Sequence, residues 1–304
     1  MVLKFAVPAL RSLPLMLALL AAPVTALAQG AGMPAGEGNS AGAEKPLEAP
    51  IVLVPHRAVY DLKLGSEAGE GGVAGLRGRM VFEFTGAACE GYSVNFRFVT
   101  DMTDNDGGRR ISDLRSTSYE SGDATSFRFI SKDFLDNKLT DEVKGSAERG
   151  ADGTITVKTL QPAKAEVKSD VRTLLPTEHL IETIAKARAG VAFFEAPIFD
   201  GSDDGTKFFA TASVIGAPAV PAADDPETGA VPDVMKALPV WPVTLTYFDL
   251  EESAGELTPV YKLTFQLYDN GISRHVAMDY GEFGIDGTLV ELTLLDPPAC
   301  ARAN

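Results

Sequence analysis

The sequence predicts a mainly β chain: a large antiparallel sheet running through residues 51–304, interrupted by one α-helix. Three observations carry this. Apolar and polar residues alternate with period two in run after run, the mark of strands with one buried and one wet face. Gly-Ser, Asp-Gly and Asn-Gly links separate many of these runs by short distances, as an antiparallel meander requires. One segment alone, Pro176 to Gly190, replaces alternation with helical spacing and carries both start and stop signals.

Taken in chain order, the first element is not structural. Residues 1–28 hold only Lys4 and Arg11 as charges, an apolar core from Leu13 to Ala22, and Ala26-Leu27-Ala28 ahead of Gln29. This pattern predicts a secretory signal peptide cleaved after Ala28. The apolar run is about 10 residues against the roughly 20 a span needs, and it contains Pro14, so a retained anchor is the weaker reading. No cysteine follows the cleavage site to take a lipid, and nothing later reads as a membrane span. A soluble, exported protein is expected. Removing the leader takes away two cations and no acid, so the formal charge moves from −15 to −17. An anionic surface repels nucleic acid and anionic lipid, and no basic patch carrying interleaved aromatics offsets it, so no nucleic-acid partner is expected. Residues 29–50 are Gly, Ala, Pro and Glu with almost no large apolar side chain, so they cannot offset their own ordering entropy and read as a disordered tether.

The strands follow. In "MVFEFTG", Met80, Phe82 and Phe84 oppose Glu83 and Thr85; in "YSVNFRFVT", Tyr92, Val94, Phe96 and Phe98 oppose Ser93, Asn95 and Arg97. In "YKLTFQLYDNG", Tyr261, Leu263, Phe265 and Leu267 oppose Lys262, Thr264 and Gln266, and an Asp-Asn-Gly turn follows. Similar runs predict strands near 57–64, 76–85, 91–103, 109–119, 124–132, 137–148, 153–159, 166–173, 206–215, 241–250, 257–268, 272–281 and 285–294. No fixed-period repeat and no internal domain boundary stands out.

The helical segment "LPTEHLIETIAKARAG" offers Pro176, Thr177 as N-cap, Glu178 and Glu182 early, Lys186 and Arg188 late, and Gly190 past the end. Leu180, Ile181 and Ile184 with Ala185 or Ala187 give it an apolar stripe to lay on the sheet. The Pro-, Ala- and acid-rich stretch at 217–239 is too long for a hairpin turn and is expected to be a surface excursion, partly mobile.

Cys89 and Cys300 are the only cysteines. An exported chain with an even cysteine count reads as disulfide-bonded, and two cysteines pair in one way only. Neither has a CxxC partner or adjacent histidine for a metal; a catalytic thiol needs a histidine base in space, which spacing does not decide.

Other chemistry is weakly signalled. Asp200, Ser202 and Asp204 occupy calcium-loop positions 1, 3 and 5, but Thr211 stands where a bidentate Glu belongs and a strand follows, so a turn is expected. His56, His179 and His275 share no metal or catalytic spacing. His179 falls in the first helical turn, where it caps or packs. Asp279, Glu282 and Asp286 in "DYGEFGIDG" are candidates for the acid and base of a wall-cleaving glycosidase, with solvated turn residues the simpler reading. There is no GxSxG. Trp241 reads as a core or rim anchor.

Several phrases in order resemble the EipB family of periplasmic cell envelope integrity proteins of alphaproteobacteria: "VPHRAVYDLKL", "CEGYSVNFRFVT", "STSYESGDATSFRF", "LPTEHLIETIAKARAG", "FDGSDDGTKFFATASVIG", "WPVTLTYFDLEE" and "YKLTFQLYDNGISRHVAMDYGEFGIDGTLVELTLL". The resemblance spans roughly 51 to 300. It implies a β-spiral, an open barrel-like sheet curled around the helix, with a disulfide that falls here on Cys89 and Cys300. It also implies a periplasmic role against envelope stress and a link to tetratricopeptide-repeat proteins of the periplasm, with no enzymatic activity. The 217–239 stretch is a departure from the family pattern.

The reading is therefore a non-catalytic periplasmic protein acting through protein-protein contacts, with no cofactor, no metal and no integral membrane segment in the mature chain. A carrier of a lipid or lipoprotein in the sheet's concavity is the alternative, favoured by an empty apolar cavity and disfavoured by a helix that fills it. A cell-wall hydrolase comes third.

Overall fold

In the computed structural model, which describes residues 49–65, 72–250 and 258–300, alternation becomes one antiparallel sheet of fourteen strands. The first meander comprises β1 (His56–Leu64), β2 (Val73–Ala87), β3 (Gly91–Asp104), β4 (Arg109–Glu120), β5 (Ser126–Leu135), β6 (Lys138–Arg149), β7 (Ile155–Gln161) and β8 (Ala165–Lys168). Helix α1 (Pro176–Arg188) then leads to a second meander of β9 (Phe193–Ile198), β10 (Phe209–Ile215), β11 (Val240–Asp249), β12 (Pro259–Tyr268), β13 (Ser273–Asp279) and β14 (Gly284–Leu294). The spatial order runs β8 to β1, then β14 back to β9. The first and last strands thus meet in the middle, Tyr60 opposite Leu289, while the two strands flanking the helix form the sheet's edges. Residues 51–65, 72–250 and 258–300 belong to one compact unit; the expected leader (1–28) and nearly all of the expected tether (29–50) lie outside the described residues.

The edges approach each other. Leu174, beyond β8, pairs in parallel with Ile198 at the end of β9: its N–H donates to Pro197 O at 2.8 Å and its carbonyl accepts from Phe199 N–H at 3.0 Å. The sheet is curled, so that α1 packs at once on residues of β2, β3, β10, β11 and β12. Registered residues place Ala58, Phe82, Phe96, Ser116, Ser131 and Val143 in one row across β1 to β6. Opposite faces carry ladders such as Arg77 and Arg109 on Asp101, and Arg97 and Arg115 on Asp113. Exposed pairs of this kind stabilise by about 0–1 kcal/mol each, so the apolar face does most of the holding.

The helix lays its stripe on that face. Ile184 and Ala187 pack with Leu53, Phe84, Tyr92, Ile215, Trp241, Val243 and Leu267, and Leu180 and Ile181 flank them. Trp241 is a core residue. A second cluster around Phe127, Phe129, Ile155 and Phe199 takes in Leu175 at the helix start. The helix ends as its sequence dictates: Gly190 adopts φ +71°, its N–H donates to Ala187 O, and Val191 N–H donates to Lys186 O, the paired bonds of a Schellman stop.

Three details differ from the sequence reading. The N-cap is Leu175 and Pro176 opens the helix, so Thr177 lies inside it. Strand β9 was not expected; it is six residues long and contains Pro197, tolerable because it is an edge. The strand expected over 166–173 stops at Lys168, because Ser169 takes Ile155 N–H on its hydroxyl and the chain turns toward α1.

Candidate functional site

At the start of α1 a carboxylate arrives from another element. Leu175 has no side-chain acceptor, and the first N–H groups of a helix must find partners. Thr177 N–H donates to Glu120 Oε2 at 2.6 Å and Glu178 N–H to Oε1 at 2.9 Å. Glu120 is the last residue of β4 and is 3% exposed. Burial pushes its carboxyl up to about 7, against the pull of the two N–H groups. Glu178 in turn accepts from Leu175 N–H and pairs with Arg149 and Arg172. Arg149 also donates to Thr173 O, Ala124 O and Gly153 O, clipping the end of β6 to the segment before α1. The helix is anchored to the sheet at its mouth by charge and along its length by apolar contact.

The 217–239 stretch is not a simple surface excursion: Glu227, Val231 and Met235 are buried. Asp225 and Glu227 belong to a turn in which Thr228 N–H donates to Asp225 O and Pro226 fixes the corner. That turn meets β13, where Arg274 is 1% exposed. Asp225 pairs with Arg274 and, at 2.8 Å, with His275 Nε2. Glu227 lies 3.3 Å from Arg274 Nε.

A third feature is a step in the sheet. β6 pairs with β5 along its length, but with β7 only over Lys144 to Arg149. Among the described residues, 138–143 of β6 have no second strand beside them. Leu139 and Leu160 border this edge and are about half exposed. Nearby, Asp133 faces Asp141 across the β5–β6 ladder; burial and then the Asp141 charge push Asp133 up to about 6.

The disulfide Cys89–Cys300 joins the β2–β3 turn to the segment after β14, across a sequence separation of 211. Beside it lies an open hollow of about 370 Å³ lined by Thr85, Gly86, Glu90, Ser93, Asp296 and Pro298. Tyr119 and Gly91 complete the lining, which mixes polar and apolar surface.

The residues weighed for catalysis or metal binding do not assemble. Asp200 Oδ1 accepts Ser202 N–H and Asp204 Oδ1 accepts Thr206 N–H, so the DGSDDG phrase folds into consecutive turns. No group of three potential metal ligands gathers among the described residues. His56 holds Val54 O beside the Phe82 and Phe84 rings. His179 contacts Thr211 Oγ1 at 3.2 Å, and burial lowers its pKa to about 4, leaving it a neutral packing residue. His275 sits in the charged cluster. Asp279 takes Gly281 N–H and pairs with Lys262, and Asp286 lies 4.0 Å from Lys63. No described helix is long and apolar enough to cross a membrane. The Glu120 cap and the Glu227 cluster escaped the sequence reading, because nothing local marks either glutamate off from the other acids near it.

Comparison with known proteins agrees with this architecture. A solved structure titled as a beta-barrel-like protein of domain of unknown function DUF1849, from Brucella abortus, is 41% identical with a TM-score of 0.76, covering 81% of this chain and all of that one. The cell envelope integrity protein EipB of Brucella abortus (strain 2308) is 43% identical over 248 residues, 81% of this chain and 86% of the relative. A family model described as EipB-like matches residues 47–296. The chain, a curled antiparallel sheet around one helix and closed by one disulfide, belongs to the EipB-like family.

Proposed function

We propose that this protein maintains cell envelope integrity from the periplasm as a non-catalytic element, and that it does so by adding a strand of a partner protein to the free edge of β6. The observation that carries this reading is the unpaired run at 138–143 beside half-exposed Leu139 and Leu160. Unpaired backbone N–H and C=O groups supply affinity to an extended segment, and flanking apolar side chains supply choice of partner. The tetratricopeptide-repeat class of partner implied by the resemblance belongs to the same proposal; an extended segment of such a protein, rather than its helical repeats, fits an edge. Export through a leader cleaved after Ala28 is part of the reading and rests on the sequence pattern alone.

A lipid carrier is disfavoured by the seating of α1 on the apolar face, where Leu180, Ile181, Ile184 and Ala187 occupy the surface an acyl chain would need. A hydrolase is disfavoured by the separate surroundings of the three histidines. The test is survival of a deletion strain on detergent and a cell-wall antibiotic. Wild type should restore growth, while Leu139→Asp and Leu160→Asp, at equal protein level and unchanged melting temperature, should not. Full rescue by both folded variants would overturn strand addition at this edge. Normal survival of the deletion strain would overturn the envelope role.

A further inference from the structure

The β13–β14 ladder is short for its strands. It holds Val276–Gly287, Ala277–Asp286, Met278–Ile285 and Asp279–Gly284, and then stops, although β13 starts at Ser273 and β14 continues to Leu294. Where the next pairs belong, the strands part, and His275 turns to φ +50°, a conformation a non-glycine residue holds only when its surroundings fix it. The opening is filled. Glu227 Oε2 accepts His275 N–H at 3.0 Å and Oε1 accepts Leu289 N–H at 2.8 Å, one from each strand. One carboxylate thus replaces the missing rung. Arg274 Nε lies 3.3 Å from Oε2 and His275 Nδ1 3.8 Å from Oε1. Glu227 is fully buried and Arg274 is 1% exposed.

Two backbone donors aimed at the two oxygens of one carboxylate, with a buried guanidinium beside them, are the parts from which proteins build carboxylate sites. We propose that the β13–β14 seam is a carboxylate receptor whose resident ligand is Glu227, delivered by the acidic 217–239 segment acting as a clasp. The Asp225–Pro226 turn presents the ligand, and Asp225 secures it through Arg274 and His275. Because the ligand is tethered, its effective concentration is on the order of millimolar or above. A free monocarboxylate does not displace it at ordinary concentrations.

Chemical rescue tests this. Glu227→Ala removes the ligand and leaves the receptor. Melting temperature should fall, and sodium acetate at neutral pH should restore roughly 3 °C at a tenfold excess over its dissociation constant. Acetamide, which has the shape without the charge, and sodium chloride of equal ionic strength should not, and acetate should leave wild type unmoved. Equal effects of acetate and acetamide, or a Glu227→Ala protein as stable as wild type, would overturn the receptor. Should Glu227→Ala fail to fold, Glu227→Gln decides: with one acceptor oxygen it should lose hydrogen-exchange protection at one of the His275 and Leu289 amides. Protection retained at both would overturn the proposal.

Discussion

Glu120 makes the stability of this fold depend on pH in a direction opposite to the usual carboxylate. Its folded-state pKa of about 7 lies above the ordinary 4.5, so the native state holds a proton that the unfolded chain releases between those values. Linkage then requires stability to be highest below pH 4.5, to fall as pH rises through the window, and to reach its full loss above about pH 7. A shift of this size corresponds to about 3 kcal/mol. That value already includes the pull of the two α1 N–H groups, so a loss of up to about 3 kcal/mol is expected. Other groups titrate in the same range, and a single curve would mix them. Glu120→Gln isolates the effect, being close in shape and uncharged at every pH. Urea unfolding at pH 4.5, 6 and 8 should show wild type losing up to about 3 kcal/mol relative to the variant across the series, with m unchanged. A constant gap, or one that moves in wild type's favour as pH rises, would refute burial as the dominant influence on the Glu120 carboxyl.

Three further outcomes follow from the geometry. Breaking the disulfide should remove about 5 kcal/mol by the chain-entropy relation for a loop of 211 residues; Cys89→Ser, Cys300→Ser and the double variant should melt alike, as should reduced wild type, and additive losses would contradict a single bond. Gly91 adopts φ +85°, and an added Cβ would fall 2.6 Å from Tyr119 Oη and 2.7 Å from Glu120 O; Gly91→Ala should cost about 1–3 kcal/mol, measured by denaturant unfolding. Asp133→Asn should stabilise by about 1 kcal/mol above pH 6, where two carboxylates otherwise face each other across the ladder, and the gain should vanish below pH 4.

What could be read from the residues and what could not divides by distance along the chain. Period-two runs such as Met80 to Phe84 carry their own face assignment, and Gly190 carries its own helix stop, because the physics involved is local. β9 escaped because six residues containing Pro197, set between a helix end and the DGSDDG turns, give too short an alternation to stand out. The helix start was misplaced for a different reason. Its cap is Glu120, 57 residues before Thr177, so a hydroxyl at Thr177 looked like the better candidate. Glu227 is the same case. Its donors lie 48 and 62 residues further on, and an acid among prolines and alanines reads as solvated until the strands it separates are in place. Buried carboxylates that serve distant backbone have no sequence signature of their own.

The central position of β1 bears on how the chain must be made. Ala58, Tyr60 and Leu62 are buried at the heart of the finished sheet, yet the strand that covers their second edge is β14, the last in the chain. The chain emerges into its compartment N-terminus first, so the first meander can assemble while one long edge of its founding strand stands open until β14 has followed. Strand pairing within each meander is local and quick; the closing pair is the single slow event, and until it happens β1 is a template for any other extended chain nearby. The final residues then make the closure permanent by placing Cys300 against Cys89.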